Sequence, residues 1–107
     1  MKIAIDFDGT LIKRTGIPTK SFFPYDEPNE GAEDALWLFT RNKIEYYIHT
    51  NRPDKDFTEM RVWLEKWGFP NADTVLITRE KQQGTTIYLD DRGYRFVSWN
   101  DFRKLVE

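Results

Sequence analysis

Two aspartates two positions apart are the residues of this sequence best placed to do chemistry. Asp6 and Asp8 belong to the pentapeptide Asp-Phe-Asp-Gly-Thr, which directly follows the apolar residues 3–5. In an extended chain such residues share one face, about 7 Å apart, which leaves room for a metal ion and a phosphoryl group. Gly9 allows a tight turn and Thr10 supplies a hydroxyl. Because Asp-Gly is also an ordinary turn signal after a strand, the pentapeptide alone leaves both interpretations open.

Three further polar clusters each follow a predicted strand. They are His49-Thr50-Asn51-Arg52, then Lys81 in a loop, and finally Asp90-Asp91 with Arg92. The carboxyl ends of parallel strands share one edge of a sheet, so these distant segments are expected to meet in one crevice. The sequence therefore predicts a single polar site built from four parts of the chain.

Strands that alternate with amphipathic helices would position these clusters. The predicted strands are residues 2–7, 44–49, 74–77 and 86–89, with a short edge strand at 95–97. The predicted helices are residues 29–41, capped by Asn29, residues 54–67, and a last helix capped by Ser98 or Asn100. This alternation predicts right-handed crossovers and a mostly parallel α/β sheet. The first strand is apolar on both faces and should be central.

Composition narrows the class of protein. The 107 residues suit a single domain, 1–107, whose hydrophobic core is large enough to be stable without disulfides or structural metal ions. There is no cysteine, which excludes disulfides and cysteine nucleophiles and suits a cytoplasmic setting. The net charge is −2 without a long run of like charge, so strong nonspecific nucleic-acid binding is not expected. We expect neither a signal peptide nor a membrane span.

Together the motifs resemble those of the haloacid dehalogenase-like superfamily, the aspartate-nucleophile phosphatases and phosphotransferases. Residues 6–10 match its first motif and Thr50 matches its second. Lys81 is the best candidate for the basic third motif, and Asp90-Asp91 matches the acidic fourth. The first and fourth motifs are specific in combination. The resemblance covers most of the chain and implies a three-layer Rossmann-like fold, with helices on both faces of the sheet and a magnesium ion at the site.

The short segment between the first strand and the first helix is typical of a capless member. Larger relatives insert a helical cap there, whereas residues 12–28 number only 17 and suffice for a flap or loop. Residues 50–52 and 89–92 look like those of small capless members, including the phosphatase domain of polynucleotide kinase and short phage or bacterial hydrolases. We therefore expect one domain without a cap.

The resemblance implies that Asp6 attacks a phosphate monoester to form an aspartyl-phosphate, while Asp8 acts as general acid and later as base. A carboxylate about 4 Å from a phosphate oxygen is repelled by roughly 4 kcal/mol per charge pair. A cation held by Asp6, the main-chain carbonyl of Asp8, and Asp90 or Asp91 would offset that repulsion. Hard oxygen ligands favour Mg²⁺ over zinc. An acid at the position of Asp8 also favours a phosphatase over a dehalogenase, because a halide needs no proton.

The remaining site residues are assigned to the phosphoryl group. Thr50, Asn51 and Lys81 would bind its oxygens, and Gly9 and Thr10 are assigned to substrate binding in the turn. Lys81 also has a simpler interpretation as a solvated surface charge. The open site would admit nucleotides, nucleic-acid ends or sugar phosphates, and aromatic residues 22, 23 and 25 could stack on a base or sugar or simply pack over the sheet.

Arg52 could make a forked contact to phosphate, or pair only with Asp54 or Asp56 at a helix start. His49 has the pattern of a packed strand residue rather than a catalyst. A competing hypothesis is a non-enzymatic phospho-acceptor module like a response-regulator receiver. A receiver's acceptor aspartate ends its third strand, and here that strand leads to Thr78-Arg79, which favours the phosphatase.

Overall fold

The computed structural model describes residues 1–13 and 27–90. Within them, four strands form one parallel sheet in the order β3-β2-β1-β4. The strands are β1 (Lys2–Asp6), β2 (Glu45–His49), β3 (Ile77–Thr78) and β4 (Ile87–Leu89). The helices are α1 (Ala32–Arg41) and α2 (Phe57–Lys66), the second preceded by a 3₁₀ turn at Asp54–Asp56. The chain thus has the predicted Rossmann-like α/β fold.

As expected, β1 lies inside the sheet, between β2 and β4. Ile3 and Ile5 occupy one face and are aligned with apolar residues of both neighbouring strands. Ala4, on the opposite face, is also buried. A strand whose side chains avoid water on both faces is stable only where both faces are covered, which explains the position of β1.

The two helices bury the stripes that their sequences predict. In α1 and α2 the buried residues recur at helical spacing and are Ala32, Ala35, Leu36, Phe39, Met60, Trp63 and Leu64. They form one core with Ile3 and Ile5, so both helices cover the same face. Right-handed crossovers that move in one direction across a sheet require this arrangement. On the opposite face, the hydroxyl of Tyr47 contacts the loop between β3 and β4 through Gln82 and Thr85.

Two local predictions were wrong. Asn29 does not cap α1, which begins at Ala32 after Gly31. The third strand is shorter and later than residues 74–77, because Thr74 and Val75 donate their backbone N–H groups to the carbonyl of Asn71 in a turn. The predicted edge strand at 95–97 and the last helix lie outside the described residues.

The two ends of the predicted flap segment lie side by side. Ile12 forms an antiparallel bridge with Pro28, and the N–H of Lys13 donates to the carbonyl of Glu27 at 2.9 Å. Between these ends, residues 14–26 are outside the described residues. No helix in the described ranges is long and apolar enough to cross a membrane.

Replacing Trp63 with alanine is expected to lower the free energy of unfolding by about 3–5 kcal/mol. Trp63 is 0% exposed. Its ring meets Phe7 edge-on at 5.2 Å and stacks on Phe69 at 5.4 Å, so truncation leaves a large cavity beneath the turn that carries Asp8. Urea denaturation provides the measurement, with Val62→Ala, an exposed change in the same helix, expected to shift stability by less than about 0.5 kcal/mol. If Trp63→Ala lowered the free energy of unfolding by less than about 1 kcal/mol, that would contradict the placement of Trp63 in the core.

Candidate active site at the carboxyl edge of the sheet

The strand register brings the first and last acidic motifs together. Ile5 of β1 is aligned with Leu89 of β4, and each is followed directly by an acidic residue, Asp6 and Asp90, where two neighbouring strands about 4.8 Å apart come to an end. The chain runs from β1 through β2 to β3 in one direction, whereas β4 lies on the other side of β1. Ligands of open α/β sheets bind at such a switch point. Asp91 lies outside the described residues.

The turn after β1 is held by its own backbone. The carbonyl of Phe7 accepts the N–H groups of Leu11 and Ile12, both at 3.1 Å, and the N–H of Gly9 donates to the carbonyl of Ile12 at 2.9 Å. Gly9 has a φ of 83°, a conformation that a side chain would strain. Thr10 is fully buried, so its side chain lies within the turn rather than on its surface.

Asn29 supports the same turn from outside. Its amide Nδ2 donates to the carbonyl of Gly9 at 3.1 Å and to that of Thr10 at 2.9 Å. Its own N–H donates to the carbonyl of Leu11 at 2.8 Å. A short polar side chain that bonds nearby backbone is equally typical of a cap and of a turn, which is why the sequence pattern alone indicated a helix cap.

Arg52 joins two acidic residues. Its Nε donates to Asp8 Oδ2 at 2.9 Å and its Nη2 to Asp8 Oδ1 at 2.7 Å, while its Nη1 reaches Asp56 Oδ2 at 3.4 Å. Burial by itself lowers the pKa of Arg52, but its hydrogen bonds to Asp8 and Asp56 and their negative charge outweigh that effect and raise the pKa above its ordinary value. A pairing of Arg52 with Asp56 was one of the alternatives predicted from the sequence. The forked contact of Arg52 with both carboxylate oxygens of Asp8 was not predicted.

Thr50 anchors the turn that presents Arg52. It directly follows β2, its N–H donates to the carbonyl of Thr78 at 3.0 Å, and its Oγ1 accepts the N–H of Arg52 at 3.1 Å. Thr50 is buried, whereas Asn51 beside it is exposed. His49 is half-buried and aligned with Asp6 in the register of β1 and β2. The second cluster therefore adjoins the first, as predicted from the strand ends.

The basic residues after β3 are placed differently from one another. Lys81 Nζ lies 5.1 Å from the centre of the Tyr88 ring, and Tyr88 is aligned with Ala4, two positions before Asp6. Arg79, the first residue after β3, reaches Asp54 at 3.5 Å. Arg79 therefore lies beside the 3₁₀ turn that carries Asp56, although nothing in the residue pattern favoured it over Lys81. The sequence signal that could have identified Arg79 as a site residue was its position as a basic residue directly after a strand.

Two carboxylates, Asp6 and Asp90, lie where neighbouring strands end at this edge of the sheet. Within residues 1–13 and 27–90, no three Asp, Glu or His side chains form a group able to hold a metal ion. Asp6 and Asp90 nevertheless offer hard oxygen atoms at adjacent strand ends, and Mg²⁺ is usually held by one or two carboxylates together with substrate phosphate. The side chain of Asp8 is bonded to Arg52, which agrees with a predicted role for Asp8 through its main-chain carbonyl.

Comparison with known proteins supports the fold but carries no information about the chemistry. No family model and no curated protein matches this chain. Among solved structures, it is similar to a conserved protein from Bacteroides thetaiotaomicron, with a TM-score of 0.68 and 20% sequence identity over 99% of this chain and 88% of that one. At that identity the likeness shows the fold alone, and it supports a three-layer Rossmann-like class for this chain.

Proposed function

We propose that this protein is a Mg²⁺-dependent phosphatase of the haloacid dehalogenase-like type, which hydrolyses a phosphate monoester through an aspartyl-phosphate on Asp6. The observation that carries the proposal is the pairing of Ile5 with Leu89, because Asp6 and Asp90 directly follow these two residues at the switch point of the sheet. Asp8, whose side chain is 41% exposed, follows two residues later and is accessible to a substrate. Two acidic segments that are distant in sequence, residues 6–8 and Asp90, thereby follow neighbouring strands.

In the proposed reaction, a carboxylate oxygen of Asp6 attacks phosphorus and the bond from phosphorus to the leaving oxygen breaks. Protonated Asp8 donates its proton to that oxygen, releasing an alcohol. Water then attacks the phosphorus of the aspartyl-phosphate and gives a proton to Asp8, which regenerates Asp6 and releases inorganic phosphate. Mg²⁺ bound by Asp6 and by Asp90 or Asp91 would supply the positive charge that reduces repulsion between Asp6 and the phosphate.

The other proposed roles concern the phosphoryl oxygens. Thr50 and Asn51, which follow β2, and Lys81, in the loop after β3, are proposed to bind them. Arg79 is a second candidate for the basic role because it lies next to the 3₁₀ turn through Asp54. The substrate class is phosphate monoesters, with nucleotides, nucleic-acid ends and sugar phosphates as the candidates.

Topology disfavours the competing receiver hypothesis. The described strands have the order 3-2-1-4, which is that of the classic Rossmann sheet, whereas receiver-like sheets have the order 2-1-3-4-5. The described end of β3 is followed by Arg79 rather than by an aspartate. Both observations support an acceptor carboxylate at the end of β1 instead.

Hydrolysis of 4-nitrophenyl phosphate with Mg²⁺ and with excess EDTA tests the proposal. We expect EDTA to lower kcat/KM by about a hundredfold or more, since a bound cation stabilises transition-state charge by several kcal/mol, and added Mg²⁺ to restore it. Far-ultraviolet circular dichroism in EDTA serves as the control for folding. Hydrolysis that is indifferent to EDTA would contradict the proposed mechanism, and binding of inorganic phosphate without any hydrolysis would favour a phosphate-binding module.

A further inference from the structure

The fork between Arg52 and Asp8 suggests a role for Asp56, an acid that the proposed reaction does not use. Arg52 holds both oxygens of Asp8 with two nitrogens, and its third nitrogen reaches Asp56. We propose that Arg52 and Asp56 are positioning residues, which hold the carboxyl group of Asp8 in the orientation needed for proton transfer. This inference rests on the proposed phosphatase function.

Geometry explains how the three side chains would act together. The side chain of Asp8 is 41% exposed and that of Arg52 only 20%, so Asp8 has space to rotate while Arg52 is held by its surroundings. A paired, side-on contact fixes the plane of a carboxyl group as well as its distance. Each carboxylate oxygen retains a further lone pair, so Asp8 can still form a hydrogen bond toward a substrate while it accepts from Arg52.

Arg52 is itself restrained at both ends. Its backbone N–H donates to Thr50 Oγ1 at 3.1 Å, and its guanidinium contacts Asp56, whose side chain is 23% exposed. Because Asp56 lies four residues after Arg52 at the beginning of α2, the helix determines where the guanidinium lies. Without Asp56, the guanidinium of Arg52 would still be bonded to Asp8, but the two side chains could move together.

The same contacts disfavour phosphate binding by Arg52 as its main role. All three guanidinium nitrogens of Arg52 already contact carboxylate oxygens. The single positive charge of Arg52 therefore faces the negative charges of both Asp8 and Asp56. A phosphate would have to displace Asp8 from a pair of short hydrogen bonds. The two roles predict different kinetics, because a phosphate ligand affects every monoester, whereas positioning of the acid matters where the leaving oxygen needs a proton.

The 3₁₀ turn offers a matched control for Asp56. Asp54 lies on the same turn, is also an aspartate, and has an ion pair of its own at 3.5 Å with Arg79. Its side chain is 76% exposed, and no bond in the described part of the chain joins it to Arg52 or Asp8. Replacing either acid with asparagine changes the charge of the turn equally, so the variants differ in the contact that each loses, to Arg52 for Asp56 and to Arg79 for Asp54.

The experiment compares Asp56→Asn and Asp54→Asn on phenyl phosphate, which has a poor leaving group, and on 4-nitrophenyl phosphate, which has a good one. The readout is kcat/KM, which reports the steps up to the aspartyl-phosphate and so isolates proton donation. For Asp56→Asn we expect a fall of about tenfold with phenyl phosphate and about twofold or less with 4-nitrophenyl phosphate, a part of the total effect of general acid catalysis. Asp54→Asn should leave the ratio of the two values unchanged, because a contact to phosphate through Arg79 affects both esters equally.

Two further variants separate positioning from a purely structural effect. Arg52→Lys keeps the charge but loses the fork and should show the same dependence on the leaving group. In a chain that already carries Asp8→Asn, Asp56→Asn should cause no further loss with phenyl phosphate. An equal fall for both substrates, no fall at all, or a further loss in the Asp8→Asn chain would overturn the inference while leaving the phosphatase function intact. An unmodified chain that hydrolyses neither ester would overturn both proposals.

Discussion

Replacing Asp6 with asparagine is expected to lower kcat for 4-nitrophenyl phosphate by at least about a thousandfold, as for loss of other enzymatic nucleophiles. An amide is a poor nucleophile, so no acyl phosphate can form. The change also removes one of the two carboxylates, Asp6 and Asp90, that we propose as ligands of Mg²⁺. Steady-state hydrolysis in saturating Mg²⁺ provides the measurement.

Asp73→Asn is the control for Asp6→Asn, because Asp73 is an exposed aspartate in the turn before β3, at the other end of the sheet. It should retain full activity, and both variants should unfold thermally as the unmodified chain does. A chain with Asp6→Asn that kept more than about a tenth of the original kcat would exclude Asp6 as the nucleophile.

Replacing Asp8 with asparagine is expected to lower kcat/KM for phenyl phosphate by about a hundredfold to ten thousandfold, the usual contribution of a general acid. The loss should be much smaller with 4-nitrophenyl phosphate, because its leaving group departs without a proton. Asparagine also cannot accept a proton from water, so the aspartyl-phosphate on Asp6 should accumulate. Comparison of kcat/KM for the two esters, with acid-quenched protein assayed for bound phosphate, measures both effects.

The Asp8→Asn chain should keep its fold, because backbone hydrogen bonds hold the turn that carries residue 8. The contacts of Gly9, Leu11 and Ile12 in residues 7–12 use main-chain atoms alone, so the turn does not depend on the carboxylate. An asparagine side chain can still accept one hydrogen bond from Arg52. Equal losses with the good and the poor leaving group would remove Asp8 from the role of general acid.

Local patterns were sufficient for most of the framework. The spacing of Ala32, Ala35, Leu36 and Phe39 predicted the buried face of α1, and the apolar residues 3–5 predicted an inner strand. Such predictions succeed because burial of apolar area dominates the folding free energy, and the helical and strand periods determine which side chains share a face. Boundaries were less certain, as the late start of β3 illustrates, since a turn around Asn71 competes locally with the strand.

Residue types and their order along the chain were enough to predict that acidic, hydroxyl and basic groups follow successive strands, and a parallel sheet then requires them to approach one edge. Which of these groups touch is a property of the folded chain. The fold paired Ile5 with Leu89, the residues before Asp6 and Asp90, assigned Asn29 to the turn after β1, and directed Arg52 to Asp8, 44 residues away in sequence. Long side chains have many partners within reach, and the one they take depends on the packing of whole elements, which no local spacing encodes.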